Sequence, residues 1–161
     1  MIDLSGKKAL ITGGSRGIGR ATAILFAQAG SDVAVNYVSN AAAAQSVKVD
    51  VEKIGRRCLL LQADISREEA ANEMIEVLVK EWGVVDGLIN NAGVWTYLEM
   101  GSMVSEVMRE TVELNLAGVF YVTNAVVPLL KRNGQGWIIN VSSTAAIRGE
   151  ALHSHYAATK S

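Results

Sequence analysis

Tyr156 and Lys160 stand four residues apart, and Ser143 lies thirteen residues before the tyrosine, in a chain of 161 residues. On a helix, side chains at i and i+4 share one face with Cβ atoms about 5 to 6 Å apart. A lysine ammonium at that distance attracts a phenolate, which suits the phenol to exchange a proton near neutral pH. A serine hydroxyl brought to the same place can donate to a carbonyl oxygen as negative charge develops there. The chemistry this predicts is reduction of a carbonyl or oxidation of an alcohol. A Tyr/Lys pair at helical spacing also occurs as an ordinary surface contact, so the reading depends on the rest of the chain.

The elements needed to position these residues follow from the apolar pattern. Lys8 to Thr12 is a short apolar run ahead of a glycine-rich turn, and Ile18 to Ala29 is helix-forming up to Gly30. The unit then repeats, with strands expected at Val33 to Tyr37 and Cys58 to Gln62 and an alanine-rich helix at Asn40 to Ile54 between them. Ser66 and Glu69 have the spacing of a capping box, predicting a helix that runs to about Trp82 and stops at Gly83. Leu88 to Asn90 continues a fourth strand. Ser102 to about Lys131 reads as mostly helical, with Pro128 expected to bend or interrupt it. Gly136 to Val141 is the fifth strand, and its continuous run Trp137-Ile138-Ile139 predicts cover on both faces. Strands and helices alternating at these lengths specify an α/β fold, a parallel sheet with helices on its faces, in a single domain over residues 1–161.

Thr12-Gly13-Gly14-Ser15-Arg16-Gly17-Ile18-Gly19 joins the first strand to the first helix. A dinucleotide pyrophosphate at that junction meets free backbone N–H groups and the positive end of the helix dipole. Gly13 would allow the tight turn, Gly17 the close approach of backbone to phosphate, and Gly19 the close packing of helix on strand.

Composition narrows the rest. Half the residues are hydrophobic, enough for a packed core, and the net charge is −1 with no basic stripe, so a nucleic-acid partner is not expected. Met1 to Lys8 has no apolar signal core, and no eighteen apolar residues run together, which predicts a cytoplasmic protein without a membrane partner. Cys58 is the only cysteine; a buried thiol is expected, and no metal-ligand cluster is visible.

In these motifs the chain resembles the short-chain dehydrogenase/reductase family. The loop is similar to the family's TGxxxGxG pattern, Asn90-Asn91-Ala92-Gly93 to its NNAG segment, Asn115 to its helix asparagine, and Ser143, Tyr156 and Lys160 to its catalytic set. The resemblance covers essentially the whole chain. It implies a Rossmann-like doubly wound sheet in the order 3-2-1-4-5, catalytic roles for Asn115, Ser143, Tyr156 and Lys160, and cofactor contacts from Gly13, Gly14, Ser15, Arg16, Gly17, Ile18, Gly19, Asn91, Ala92, Gly93, Tyr156 and Lys160. It further implies that Asp64 and Ile65 contact adenine, that Asn115 holds a water and supports a helix kink, that the substrate is a small carbonyl or alcohol, and that the protein is a homo-oligomer, commonly a tetramer. His153, His155, Trp95, Tyr97 and Met100 are candidates for the substrate side or for ordinary packing.

A carboxylate at the end of the second strand of such a fold binds the ribose 2′-hydroxyl and repels a 2′-phosphate. Here Asn36-Tyr37-Val38-Ser39 carries no acid, and Arg16 adds a guanidinium in the glycine loop. NADP(H) is therefore expected over NAD(H), with use of both as the alternative and with Asn36 and Tyr37 at the cofactor.

Members of the family continue the Tyr-bearing helix and add later strands and a substrate loop, so against them the chain reads as C-terminally incomplete. Its fifth strand is expected to expose an edge, and the isolated 161-residue chain to show little or no turnover. The alternative function is a truncated dinucleotide-binding or interaction module without catalysis.

Overall fold

A computed structural model describes residues 2–161. Five parallel strands, β1 (Lys8–Ile11), β2 (Asp32–Tyr37), β3 (Cys58–Gln62), β4 (Gly87–Asn90) and β5 (Trp137–Asn140), form one sheet in the order β3-β2-β1-β4-β5. The order reverses between β1 and its two neighbours. The ends of β1, β2 and β4 beside that reversal are where an open α/β sheet leaves a crevice for a ligand.

The central strands β1, β2 and β4 are short and apolar on successive residues because both of their faces are covered. Leu10, Ala34 and Leu88 point into one core with Met74, Ile75, Leu78 and Trp82 of α3 (Glu68–Trp82) and Val122, Val126, Leu129 and Leu130 of α5 (Gly118–Arg132). Ala9, Ile11, Val33, Val35 and Ile89 point the other way, onto Ala23 and Ala27 of α1 (Gly17–Gln28) and Val47 and Val51 of α2 (Ala41–Lys53). The small alanines let α1 approach the sheet closely. Cys58 is buried, and burial pushes its thiol up to about 12, so it is an inert core residue.

Three local expectations are corrected. Ser66 does not cap α3; its hydroxyl donates to Asp64 Oδ1 at 2.7 Å, and the helix starts at Glu68 after an extended Arg67. With Arg67 in the N-cap position, Ser66 lies one residue outside the helix end, and its hydroxyl is used as a donor to the Asp64 carboxylate. The long helix begins later than Ser102, at α4 (Ser105–Val112), and continues through a π turn (Glu113–Ala117) into α5. Its irregularity lies at Asn115 rather than at Pro128, which sits within continuous α5. Ser105–Arg132 is long and apolar enough to cross a membrane by length and composition. In this fold its buried residues line the core beside α3. Finally, β5 lacks cover: Ile138 and Ile139 are 37% and 48% exposed, and β4 is its only strand neighbour among the described residues. Two short helices, α6 (Ala145–Arg148) and α7 (Ser154–Thr159), follow it and pack on each other.

Candidate active site

At the reversal point a groove of about 780 Å³ runs over the strand ends. Its floor is the loop after β1 and the first turn of α1, with Gly13, Ser15, Arg16, Gly17 and Ile18 lining it. Arg16 is extended at the N-cap position and places no side-chain acceptor over the helix end. The first-turn N–H groups are thus left for a ligand, and an anion is favoured there by the helix dipole. Gly17 has φ +54, and a Cβ at that position would meet nothing within 4 Å, so the backbone presents open space. Gly19 is the opposite case: its Cβ would stand 2.6 Å from both Asn91 Nδ2 and the Gly13 carbonyl oxygen. One glycine opens the cradle and the other lets the helix close against its rim. The dimensions and the donor set fit a dinucleotide.

The loop is held from two sides. Thr12 is buried, and its Oγ1 accepts from the N–H groups of Asn91 and Ala92, each at 3.0 Å. Asn91 Nδ2 donates back to the carbonyls of Thr12 and Gly13 at 2.8 and 3.1 Å. On the β2 side, buried Asn36 accepts from Gly13 N–H and donates to the carbonyls of Leu61 and Ala63. Backbone atoms that would otherwise be unpaired are thereby satisfied, and the glycine loop is fixed before any ligand arrives.

The groove ends at Gly93, where a Cβ would lie 3.2 Å from Lys160 Nζ and 3.1 Å from Asn115 Oδ1. Lys160 is half-buried and donates to the Val141 carbonyl at 3.3 Å; burial lowers its pKa below the ordinary 10.5. Ser142 Oγ donates to the Lys160 carbonyl, tying the exit of β5 to the end of α7. Ser143 Oγ accepts from Ala145 N–H at 3.1 Å, which leaves its own proton available for donation. Tyr156, one helical turn before Lys160, is half-buried. Asn115 sits in the π turn, and its side-chain amide also donates to Thr159 Oγ1 of α7 at 3.2 Å. The segments after β4 and β5, the π turn and the end of α7 therefore converge beside Gly93, and Ser143, Tyr156 and Lys160 are not among the residues lining the groove itself.

The family model described as short chain dehydrogenase matches residues 7–161. The chain belongs to the short-chain dehydrogenase family. It is 36% identical over 158 residues to an L-rhamnose 1-dehydrogenase (NAD(P)(+)) from Sphingomonas sp. (strain SKA58), covering 98% of this chain and 62% of that protein. A 3-oxoacyl-[acyl-carrier-protein] reductase from Synechocystis sp. is 34% identical over 160 residues, covering 99% of this chain and 65% of the other. Among solved structures, an NAD+-bound xylitol dehydrogenase superposes with a TM-score of 0.92 at 27% identity, covering 97% of this chain and 60% of its own. The chain thus spans less than two thirds of the length of these relatives. The family's sheet order is the one found here.

Against the family pattern, the structure gathers most of the expected residues but divides their tasks. Gly13, Ser15, Arg16, Gly17, Ile18, Asn36, Tyr37, Ile65, Asn91, Ala92 and Gly93 line the groove, whereas Gly14 and Gly19 lie beneath it. Asn36 lines the groove and also braces the loop, spending both amide hydrogens on protein carbonyls. Asp64 does not reach the groove; it accepts from Ser66 and lines an adjoining depression with Arg67 and Arg109. Val38 and Ser39, from the stretch at the end of the second strand, also line the groove, and so do Asn40, Ala43, Val94 and Leu114, to which the sequence motifs do not point. Asn40 had a readable signal, an asparagine just before an alanine-rich helix, and it caps α2 by accepting from Ala43 N–H at 2.9 Å.

Proposed function

We propose that this chain carries the cofactor site and catalytic residues of an NADP(H)-dependent oxidoreductase that interconverts a carbonyl and a secondary alcohol. The observation that carries the reading is the junction at Gly93, where the dinucleotide groove meets Lys160 and Asn115. In this reading the backbone N–H groups around Gly17 and the N-terminus of α1 hold the pyrophosphate, and the surface from Asn91 to Val94 supports the nicotinamide half. When bound, the nicotinamide supplies or takes up the hydride.

The protein's own residues do the remaining work. Tyr156 gives its phenol proton to the substrate oxygen in reduction and takes one in oxidation. Lys160, which burial already disfavours as an isolated ammonium, gains most when a neighbouring phenolate forms, so its charge is used as the proton leaves Tyr156. The Ser143 hydroxyl donates to the substrate oxygen. Asn115 fixes the floor of the site through Val94 and Thr159.

Preference for NADP(H) is supported by the absence of an acid in Asn36-Tyr37-Val38-Ser39 and by Arg16 and Ser39 in the groove lining. The relatives' names cover a sugar, a polyol and an acyl thioester, so no single substrate is carried over to this chain. A cytoplasmic homo-oligomer remains part of the proposal, and sedimentation of the intact protein tests its assembly.

The deciding experiment is steady-state turnover by the intact protein with NADPH and a panel of ketones, 3-oxoacyl thioesters and sugars, alongside Tyr156→Phe. Turnover that Tyr156→Phe abolishes supports the reading, and turnover unchanged in that variant overturns the proton-transfer role. NADPH binding without turnover on any of the panel favours a nucleotide-binding module instead.

A further inference from the structure

Helix α7 carries two pairs at i and i+4. Tyr156 and Lys160 are half-buried, with Lys160 Nζ beside Gly93; His155 and Thr159, one residue earlier in each case, are buried at 8% exposure each. A step of one residue rotates the helix by about 100°, so the buried pair sets the direction in which the reactive pair points. Thr159 is anchored at Asn115, as described above. His155 is anchored elsewhere: its Nε2 lies 2.9 Å from Thr96 Oγ1, which lies 2.9 Å from Thr111 Oγ1 on α4.

The proton positions in this chain follow from its far end. Thr111 Oγ1 donates to the Val107 carbonyl at 2.8 Å, so its single proton is used. Thr96 must then donate to Thr111, and His155 Nε2 must donate to Thr96. This makes His155 the Nε2–H tautomer and leaves Nδ1 as a buried lone pair without a protein partner. Burial, and to a smaller extent the charge of His153, hold its pKa below the ordinary 6.5, so the ring stays neutral and the chain of donors keeps its direction.

We infer that His155 is a positioning residue for Tyr156, holding α7 against the Thr96 loop and α4 through a directed hydrogen-bond chain that ends at Val107. The inference rests on the oxidoreductase reading proposed above. His155 touches neither cofactor groove nor reacting atoms. It acts because the loop that carries Thr96 begins at Gly93 and Val94, the residues beside Lys160 and Asn115. The cofactor floor and the proton donor are thereby registered to each other by one side chain.

The test uses the intact protein and compares His155→Phe, which keeps ring volume without a donor, with His155→Gln, whose amide N–H reaches a similar position. His155→Phe should lower kcat by about 100-fold, the scale expected for a misplaced reacting group, with KM for NADPH within about twofold. His155→Gln should recover most of that loss. Histidine ¹⁵N spectra of the wild-type protein should show a neutral Nε2–H ring for His155 at pH 7. No turnover by the wild-type protein overturns the functional reading and this inference with it. Wild-type turnover with His155→Phe unimpaired, or equal losses in both variants, overturns this inference alone. If His155→Phe does not fold, Thr96→Val, which cannot accept from Nε2, takes its place with the same expected loss. An Nδ1–H tautomer in the spectra also overturns it.

Discussion

Asn115 grips Val94 by both ends of one peptide residue, accepting from its N–H at 2.8 Å and donating to its carbonyl at 2.9 Å. A side-chain amide thus stands in for a paired strand at the point where β4 has ended and the chain crosses the active site. The widened π turn places the amide there, and the gap it spans lies beside Lys160.

Asn115→Ala should therefore cost more than an ordinary helix substitution. It leaves a half-buried N–H and carbonyl of Val94 without their protein partner, a loss of about 1 to 2 kcal/mol for such groups. Urea unfolding of the two proteins checks this, and an unshifted midpoint would mean the clamp carries no stability. Turnover should fall further than stability accounts for, because Val94 is no longer held beside the site.

The two glycines of the nucleotide loop should respond differently to alanine. At Gly19 the new Cβ meets backbone at 2.6 Å, so Gly19→Ala should destabilise the protein by about 1 to 3 kcal/mol even without nucleotide. At Gly17 no atom is within 4 Å, and only the left-handed backbone, φ +54, is penalised, by about 1 to 2 kcal/mol. The difference between them should appear on adding nucleotide: Gly17→Ala loses affinity beyond its stability cost, because the Cβ occupies space proposed for phosphate. Thermal shifts with and without NADPH measure both effects.

Arg16→Ala should raise KM for NADPH by about tenfold, near the value of one charge-assisted hydrogen bond, and leave KM for NADH nearly unchanged. Equal loss with both cofactors would show that Arg16 serves the shared pyrophosphate rather than a 2′-phosphate.

Lys160 couples stability to pH. Burial penalises its ammonium in the folded state, lowering the folded pKa below the ordinary 10.5. At neutral pH both states hold the proton and the folded protein bears the penalty in full. As pH rises through the folded pKa toward 10.5, the unfolded chain binds more protons than the folded one, and stability increases. Lys160→Met should lack this increase, should be at least as stable as the wild type at pH 7, and should be inactive. Unfolding midpoints from pH 7 to 10.5 check the sign; a wild-type curve that falls relative to the variant over this window would contradict it.

What sequence reading recovers here depends on the range of the interaction. The strands, the glycine loop and the Tyr156/Lys160 spacing are visible because each rests on a local pattern within one element or turn, whereas the strand order and the place of Ser143 come from the family resemblance. Ser66 shows the limit of such patterns: Ser66 and Glu69 have capping-box spacing, yet the helix starts at Glu68 and leaves the serine one residue outside the cap position. The roles of Asn36, Thr12 and Asn91 were hidden because their partners lie 23 to 80 residues away. Asn36 could be placed near the cofactor from its position at the end of β2, but whether its amide faces ligand or protein carbonyls depends on β3. The exposure of Ile138 and Ile139 is a similar case, since an apolar run indicates a need for cover without naming what supplies it.

The π turn at Glu113–Ala117 also has a genetic consequence. A π turn is one residue wider than an α turn, so deleting a single residue from this segment would let the backbone close into ordinary α-helix without an obvious break. Because the wide turn and the ordinary one each close about one full rotation, α5 would keep its phase relative to α4 and leave Val122 and Val126 in the core with α3, while the widening that presents the Asn115 amide to Val94 would be lost. A one-residue deletion there would therefore spare the helix packing and strike the active site alone: the core can lose the extra residue, and the clamp on Val94 cannot.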